Sequence, residues 1–176
     1  MWRVESRIYL GDSRAGVDAL GGAALPTDPS GDPKPFAGVV SLCPMPLFRG
    51  EPVEGPALLD TEWLKIPIMD GGNGDGELEY AIDLALPFIA RRRKSGNVLV
   101  HCAAGMSRSV SVLAALLCEG GSGVEEAFEH IASSKAEALG PFSSDLSLLI
   151  APAWEFRRYL ERRYGRIRPD GRPDQA

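Results

Sequence analysis

Disulfide and metal chemistry have little to work with in this sequence. Three cysteines (Cys43, Cys102, Cys118) and two histidines (His101, His130) occur in 176 residues; an odd cysteine count with no paired spacing indicates neither a disulfide framework nor a zinc site. Positive charge is not in excess: the net charge is −5 and the isoelectric point about 5.1, which argues against a nucleic-acid-binding protein. No apolar run approaches the length of a transmembrane helix. Met1-Trp2-Arg3-Val4-Glu5 lacks the basic region and apolar stretch of a signal peptide. A reducing cytoplasm is therefore the expected location, and it would keep a reactive thiolate usable. What remains is an ordinary globular composition, 44% hydrophobic and 24% charged, long enough for one domain with a substantial core.

The most informative stretch is Asn97 to Leu117, NVLVHCAAGMSRSVSVLAALL. Val98-Leu99-Val100 reads as a buried parallel strand that stops at His101-Cys102. A loop, Ala103-Ala104-Gly105-Met106-Ser107, then leads into a helix carrying Val110, Val112, Leu113, Leu116 and Leu117. A loop feeding a helix N-terminus turns backbone N–H groups toward one point, where the helix dipole also favours negative charge. Gly105 permits the turn, and Arg108 adds a planar fork of donors matched to two oxygens of one phosphate. The same field lowers the pKa of Cys102 and holds it as thiolate. The chemistry that follows is in-line attack of the Cys102 sulfur on a phosphomonoester, giving a phosphocysteine that water hydrolyses. Arg108 and the loop amides of residues 103 to 108 bind phosphate and face the charge of the transferring group. Ser109 can donate to the sulfur, and His101, preceding the nucleophile, holds the loop and supports the low thiol pKa. No metal or cofactor is required.

His101-Cys102-Ala103-Ala104-Gly105-Met106-Ser107-Arg108-Ser109 resembles the signature loop of cysteine-dependent protein tyrosine phosphatases, and its second half is most similar to the dual-specificity branch. The resemblance runs from about Arg7 to about Leu160. It implies a single α/β domain with a mostly parallel central sheet flanked by helices, and phosphorylated protein as substrate. Leaving-group expulsion needs a proton donor on a mobile loop. Ile66-Pro67-Ile68-Met69-Asp70 resembles the family's general-acid loop, which makes Asp70 the acid and then the base, with Asp75 the fallback. Glycines 71, 72, 74 and 76 exceed the family pattern, and Phe142 stands where the family commonly has Asn.

Elsewhere the patterns predict a strand over Ile8-Tyr9-Leu10, a helix capped by Asp12 or Ser13 and running to Leu20, and a strand over Gly38 to Leu42. A further strand is predicted over Trp63 to Ile68 and a helix from Glu77 to Lys94, kinked at Pro87. A helix opened by a capping box at Ser122-Gly123-Val124-Glu125 and a last helical segment with Leu146 to Leu160 complete the set. Residues 21–35 read as a loop insertion, residues 1–164 as the catalytic unit and 165–176 as a disordered basic tail. Cys43 ends its strand on the side of the active loop, where a protective disulfide with Cys102 is conceivable. Arg91-Arg92-Arg93-Lys94 reads as a solvated helix end and His130 as a helix surface residue. Two rivals stay open: a phosphatase for phosphoinositides, glycans or nucleic-acid 5′ ends, disfavoured by the uncharged Ala103, Ala104 and Met106, and a phosphate-binding pseudoenzyme.

Overall fold

The computed structural model describes residues 1–21, 36–44, 61–72, 76–139 and 149–165. Five strands, β1 (Trp2–Glu5), β2 (Ile8–Gly11), β3 (Phe36–Ser41), β4 (Glu62–Lys65) and β5 (Asn97–His101), form one sheet in the order β1-β2-β5-β3-β4. β1 runs antiparallel to β2, and the other pairings are parallel. Among the described residues five helices accompany them: α1 (Ser13–Leu20), α2 (Gly76–Arg92), α3 (Arg108–Glu119), α4 (Val124–Leu139) and α5 (Trp154–Tyr164). The expected single α/β architecture is thus present, with β5 in the middle of the sheet.

Side-chain alternation along β5 divides the core. Val98 and Val100 face the larger cluster, with α2, α3, α4 and α5, while Leu99 faces the smaller one with Tyr9, Val39, Phe36 and residues of α1. A strand buried on both faces reads as a continuous apolar run, which is why β5 was so legible. Its register sets the site: Gly11, Ser41 and His101 lie abreast where three parallel strands end. The next residues, Asp12, Leu42 and Cys102, therefore emerge together at the carboxyl edge, where parallel α/β sheets build their sites.

Local chemistry explains the boundaries. Asp12 caps α1, its carboxylate accepting from Ala15 N–H at 2.8 Å. α4 departs from expectation by one residue: Glu126, not Glu125, reaches back to Gly123 N–H at 2.9 Å, so Gly123 occupies the cap position. β4 ends at Lys65, yet Ile66 and Ile68 N–H still donate to Ser41 and Leu42 carbonyls, which carries the extended chain on to Asp70. α2 passes through Pro87 on its exposed side. The basic run is more than a solvated end: Arg91 forms a two-pronged pair with Glu62 at 2.7 Å, and Arg92 Nε donates to Ala37 O. Arg162, Arg163 and Tyr164 belong to α5. β1 is an addition that sequence patterning did not anticipate. The loop insertion (residues 22–35 of it), Asp75, Phe142 and the tail beyond Gly165 lie outside the described residues. Among the described residues no helix is long and apolar enough to cross a membrane.

Candidate active site

Cys102 follows β5 directly and is 1% exposed. Its hydrogen-bond donors come from its own loop and the helix behind it. Ser109 Oγ donates to the sulfur at 3.1 Å. Burial alone would raise the thiol pKa, but the Ser109 hydroxyl and the backbone N–H groups of Ser109, Met106 and Gly105 outweigh it, and the thiol lies below its ordinary value. Hydrogen bonds made to the charged form favour it, and here they outweigh the cost of burying the thiolate.

The loop can aim its amides because its carbonyls are held elsewhere. Ala103 O accepts from Ser13 N–H at 3.0 Å, Gly105 O from Lys135 Nζ at 3.0 Å, Met106 O from Ala151 N–H at 2.8 Å and Ser107 O from Ser111 N–H at 2.8 Å. A trans peptide plane points its C=O and N–H in opposite directions. Each carbonyl drawn outward therefore turns the next residue's N–H inward. Gly105 sits at φ +67°, and a Cβ there would come within 2.8 Å of Gly11 O, so the turn requires glycine. Ser107 Oγ accepts from Ala153 N–H at 3.1 Å, joining the loop to the start of α5. Ala103 and Ala104 are exposed on the outer lip.

Arg108 opens α3 and is 8% exposed. Its Nη1 donates to Ile68 O at 3.1 Å and Leu42 O at 3.4 Å, while Nη2 lies 3.6 Å from Asp70 Oδ2. Nε is buried and, among the described residues, has no hydrogen-bond partner. One edge of the guanidinium is thus spent on fixing its orientation, and the Nε and Nη2 edge keeps the donors suited to two oxygens of an oxyanion. Asp70 itself is half exposed. Its loop is pinned at both sides by carboxylates: Met69 N–H donates to Glu77 at 2.8 Å and Gly72 N–H to Glu155 at 3.2 Å. Gly71 and Gly72 both adopt positive φ.

His101 is fully buried, and its protonation is set by a chain of donors. Trp63 Nε1–H donates to Ser41 Oγ at 2.9 Å, which leaves the Ser41 hydroxyl proton for His101 Nε2 at 2.6 Å. Nε2 is then the acceptor and Nδ1 carries the proton, directed at Cys102 O at 3.3 Å. Burial lowers the imidazole pKa, only partly offset by the Cys102 carbonyl and Asp12, so the ring is neutral.

The structure therefore gathers Cys102, Arg108, Ser109, His101, Asp70 and the 103–107 loop at one sheet edge. His130 stays on the helix surface and bonds Val4 O at 2.7 Å. Cys43 is a buried free thiol, raised by burial and within reach of the charges of Arg108 and Cys102. Sequence reasoning missed Trp63 and Ser41 behind His101, Glu77 and Glu155 behind Asp70, and Lys135 behind Gly105. For Lys135 a signal existed: it continues the stripe Ala127, Ile131 on the buried face of α4. A polar recess of about 490 Å³ lined by Arg3, Arg7, His130 and Glu137 is remote from this edge, beside Asn97 at the opposite end of β5.

An amide-lined cysteine loop on the carboxyl edge of a parallel sheet, with an arginine at the following helix start, is the architecture of an oxyanion-binding cysteine site. The family described as "Dual specificity phosphatase, catalytic domain" matches residues 57–150. Human dual specificity protein phosphatase 12 is 33% identical over 121 residues, 68% of this chain and 34% of that protein. The chain spans about a third of that relative's length. Among solved structures, human DUSP28 superposes with a TM-score of 0.59 at 22% identity, covering 94% of this chain and 96% of that one. DUSP15 gives 0.62 at 23%, covering 91% and 84%. At such identities the likeness is one of fold. On the family match and the curated relative together, the chain belongs to the dual-specificity phosphatase family.

Proposed function

We propose that this chain hydrolyses phosphomonoesters of phosphorylated proteins, on tyrosine and on serine or threonine, without a metal and through a phosphocysteine. The observation that carries this reading is the convergence of three amides and the Ser109 hydroxyl on buried Cys102, beside an Arg108 whose Nε is unpartnered. The phosphate enters with its oxygens toward the inward amides of residues 103 to 108 and the Nε and Nη2 edge of Arg108. It competes there with Asp70, whose 3.6 Å pair is long and half exposed. Such pairs are worth about 0–1 kcal/mol, so a dianion displaces the carboxylate readily.

The sulfur then attacks phosphorus in line, forming S–P as the P–O bond to the leaving group breaks. Asp70 gives its proton to the departing oxygen. In the second step Asp70 takes a proton from water, the water oxygen bonds to phosphorus, and S–P breaks to return the thiolate, which Ser109 stabilises as leaving group. His101 stays neutral and holds the Cys102 carbonyl. Uncharged side chains at Ala103, Ala104 and Met106 support a protein phosphoester over a polyanionic head group. A reducing compartment such as the cytoplasm suits the thiolate.

The test is cleavage of p-nitrophenyl phosphate and of phosphopeptides in EDTA. Turnover is expected to persist with chelator and to vanish in Cys102→Ser while phosphate binding survives. Dependence on added metal overturns the mechanism, and phosphate binding without turnover in the native protein makes it a binding protein instead.

A further inference from the structure

Lys135 belongs to α4, outside the signature loop, yet its ammonium is placed at the back of that loop. The residue is 4% exposed. Its Nζ donates to Gly105 O at 3.0 Å and to Leu149 O at 2.6 Å, and lies 4.3 Å from the centre of the Trp2 ring. Among the described residues it makes no salt bridge to a carboxylate. Moving an ammonium from water to such a place is costly unless charge of opposite sign faces it. Two groups act in that sense: burial is the larger effect and leaves the lysine pKa below its ordinary value, while the negative charges of Cys102 and Asp12 pull it part of the way back.

We infer that Lys135 is a positioning residue of the cysteine loop: it draws the Gly105 carbonyl outward, so that the Met106 amide turns to Cys102, and it sets a positive charge behind the thiolate. The first part follows from peptide planarity, because the plane that carries Gly105 O carries Met106 N–H on its other side. The second follows from reciprocity. The Coulomb energy by which the Cys102 anion favours the charged lysine is the same energy by which the lysine favours the anion. It acts in addition to the amide and Ser109 donations.

A neutral donor could satisfy the two carbonyls, but only a cation supplies this second effect. β1 completes the arrangement, since Trp2, on this antiparallel edge strand, offers its ring face to the ammonium. The other charged or titratable groups gathered around Cys102 at this sheet edge are Arg108 from α3, Asp70 beyond β4, Cys43 after β3, the neutral His101 of β5 and Asp12 at the start of α1. None of these changes in a Lys135 variant.

The inference rests on the reading of Cys102 as a thiolate nucleophile, and its test needs no turnover. Ultraviolet thiolate absorbance is titrated against pH in the native protein and in Lys135→Gln and Lys135→Arg. Each is measured against the same protein carrying Cys102→Ser, so that the difference belongs to Cys102 alone. Lys135→Gln keeps a donor for the carbonyls and loses the charge; its midpoint is expected about one pH unit higher, roughly a tenfold loss of thiolate on the acid side. Lys135→Arg is expected to restore the native midpoint. A midpoint unmoved in Lys135→Gln overturns the inference.

A second measurement in the native fold covers the case in which the glutamine variant does not fold. The side-chain ammonium resonance of Lys135 is compared between native protein and Cys102→Ser; a shift on removing the thiolate supports the coupling, and an unchanged resonance overturns it. If the midpoints move but p-nitrophenyl phosphate is not cleaved, the inference stands and the phosphatase reading falls. If cleavage occurs with midpoints unmoved, the reverse holds.

Discussion

Replacing Ser109 with alanine isolates one of the donations that hold Cys102 as an anion. The hydroxyl lies 3.1 Å from the sulfur and both groups are buried. A hydrogen bond to a charged group is worth about 1.5–3 kcal/mol. At about 1.4 kcal/mol per pH unit, its loss raises the thiol pKa by roughly one to two units and cuts the thiolate present on the acid side about ten- to a hundredfold. The amides of Gly105, Met106 and Ser109 remain, so the thiol is not returned to the value that burial alone would impose.

The readout is the thiolate absorbance titration, referenced to Ser109→Ala with Cys102→Ser, alongside the pH dependence of turnover. Stability gives an independent check. The native thiol titrates below its unfolded value, so between the two the unfolded chain holds more protons and stability rises with pH. That contribution is complete above the unfolded thiol pKa and is lost as pH falls through the folded one. Ser109→Ala is therefore expected to be destabilised at alkaline pH and close to native at acidic pH. A midpoint within about 0.3 unit of native would refute the assignment of Ser109 as the main side-chain donor.

Asp70→Asn is expected to slow alkyl phosphate cleavage about 10²- to 10⁴-fold; p-nitrophenyl phosphate, with a good leaving group, should suffer less. Gly105→Ala forces a side chain onto positive φ at about 1–2 kcal/mol and drives Cβ to 2.8 Å from Gly11 O. Thermal melts should show a fall of about 5 °C or more, with turnover lost, and a native-like melt would show that the loop has another way round. Glu155→Ala removes the acceptor of Gly72 N–H, an exposed bond worth about 1 kcal/mol. It should lower kcat about three- to tenfold with KM little changed; an equal rise in KM would mean that the clamp acts on binding rather than on acid delivery.

The sequence by itself determined the strand that leads to Cys102, the loop and the helix behind it. Burial on both faces of β5, a glycine that alone tolerates the Gly105 turn, and the 3.6-residue stripe of α3 are all local properties written into consecutive residues. Asp70 was legible through its resemblance to a family loop, and the cap of α1 as Asp12 or Ser13, a choice that the structure makes for Asp12. Only the tertiary structure decided how that loop is held. Lys135, Trp63, Ser41, Glu77 and Glu155 come from α4, β4, β3, α2 and α5, and no pattern of consecutive residues records which carbonyl or amide each will meet. β1 was equally hidden, because an edge strand with one buried residue carries almost no periodic signal. The reason is physical: a backbone segment announces its conformation through its own side chains, whereas the direction in which its amides point is fixed by whatever distant group takes its carbonyls.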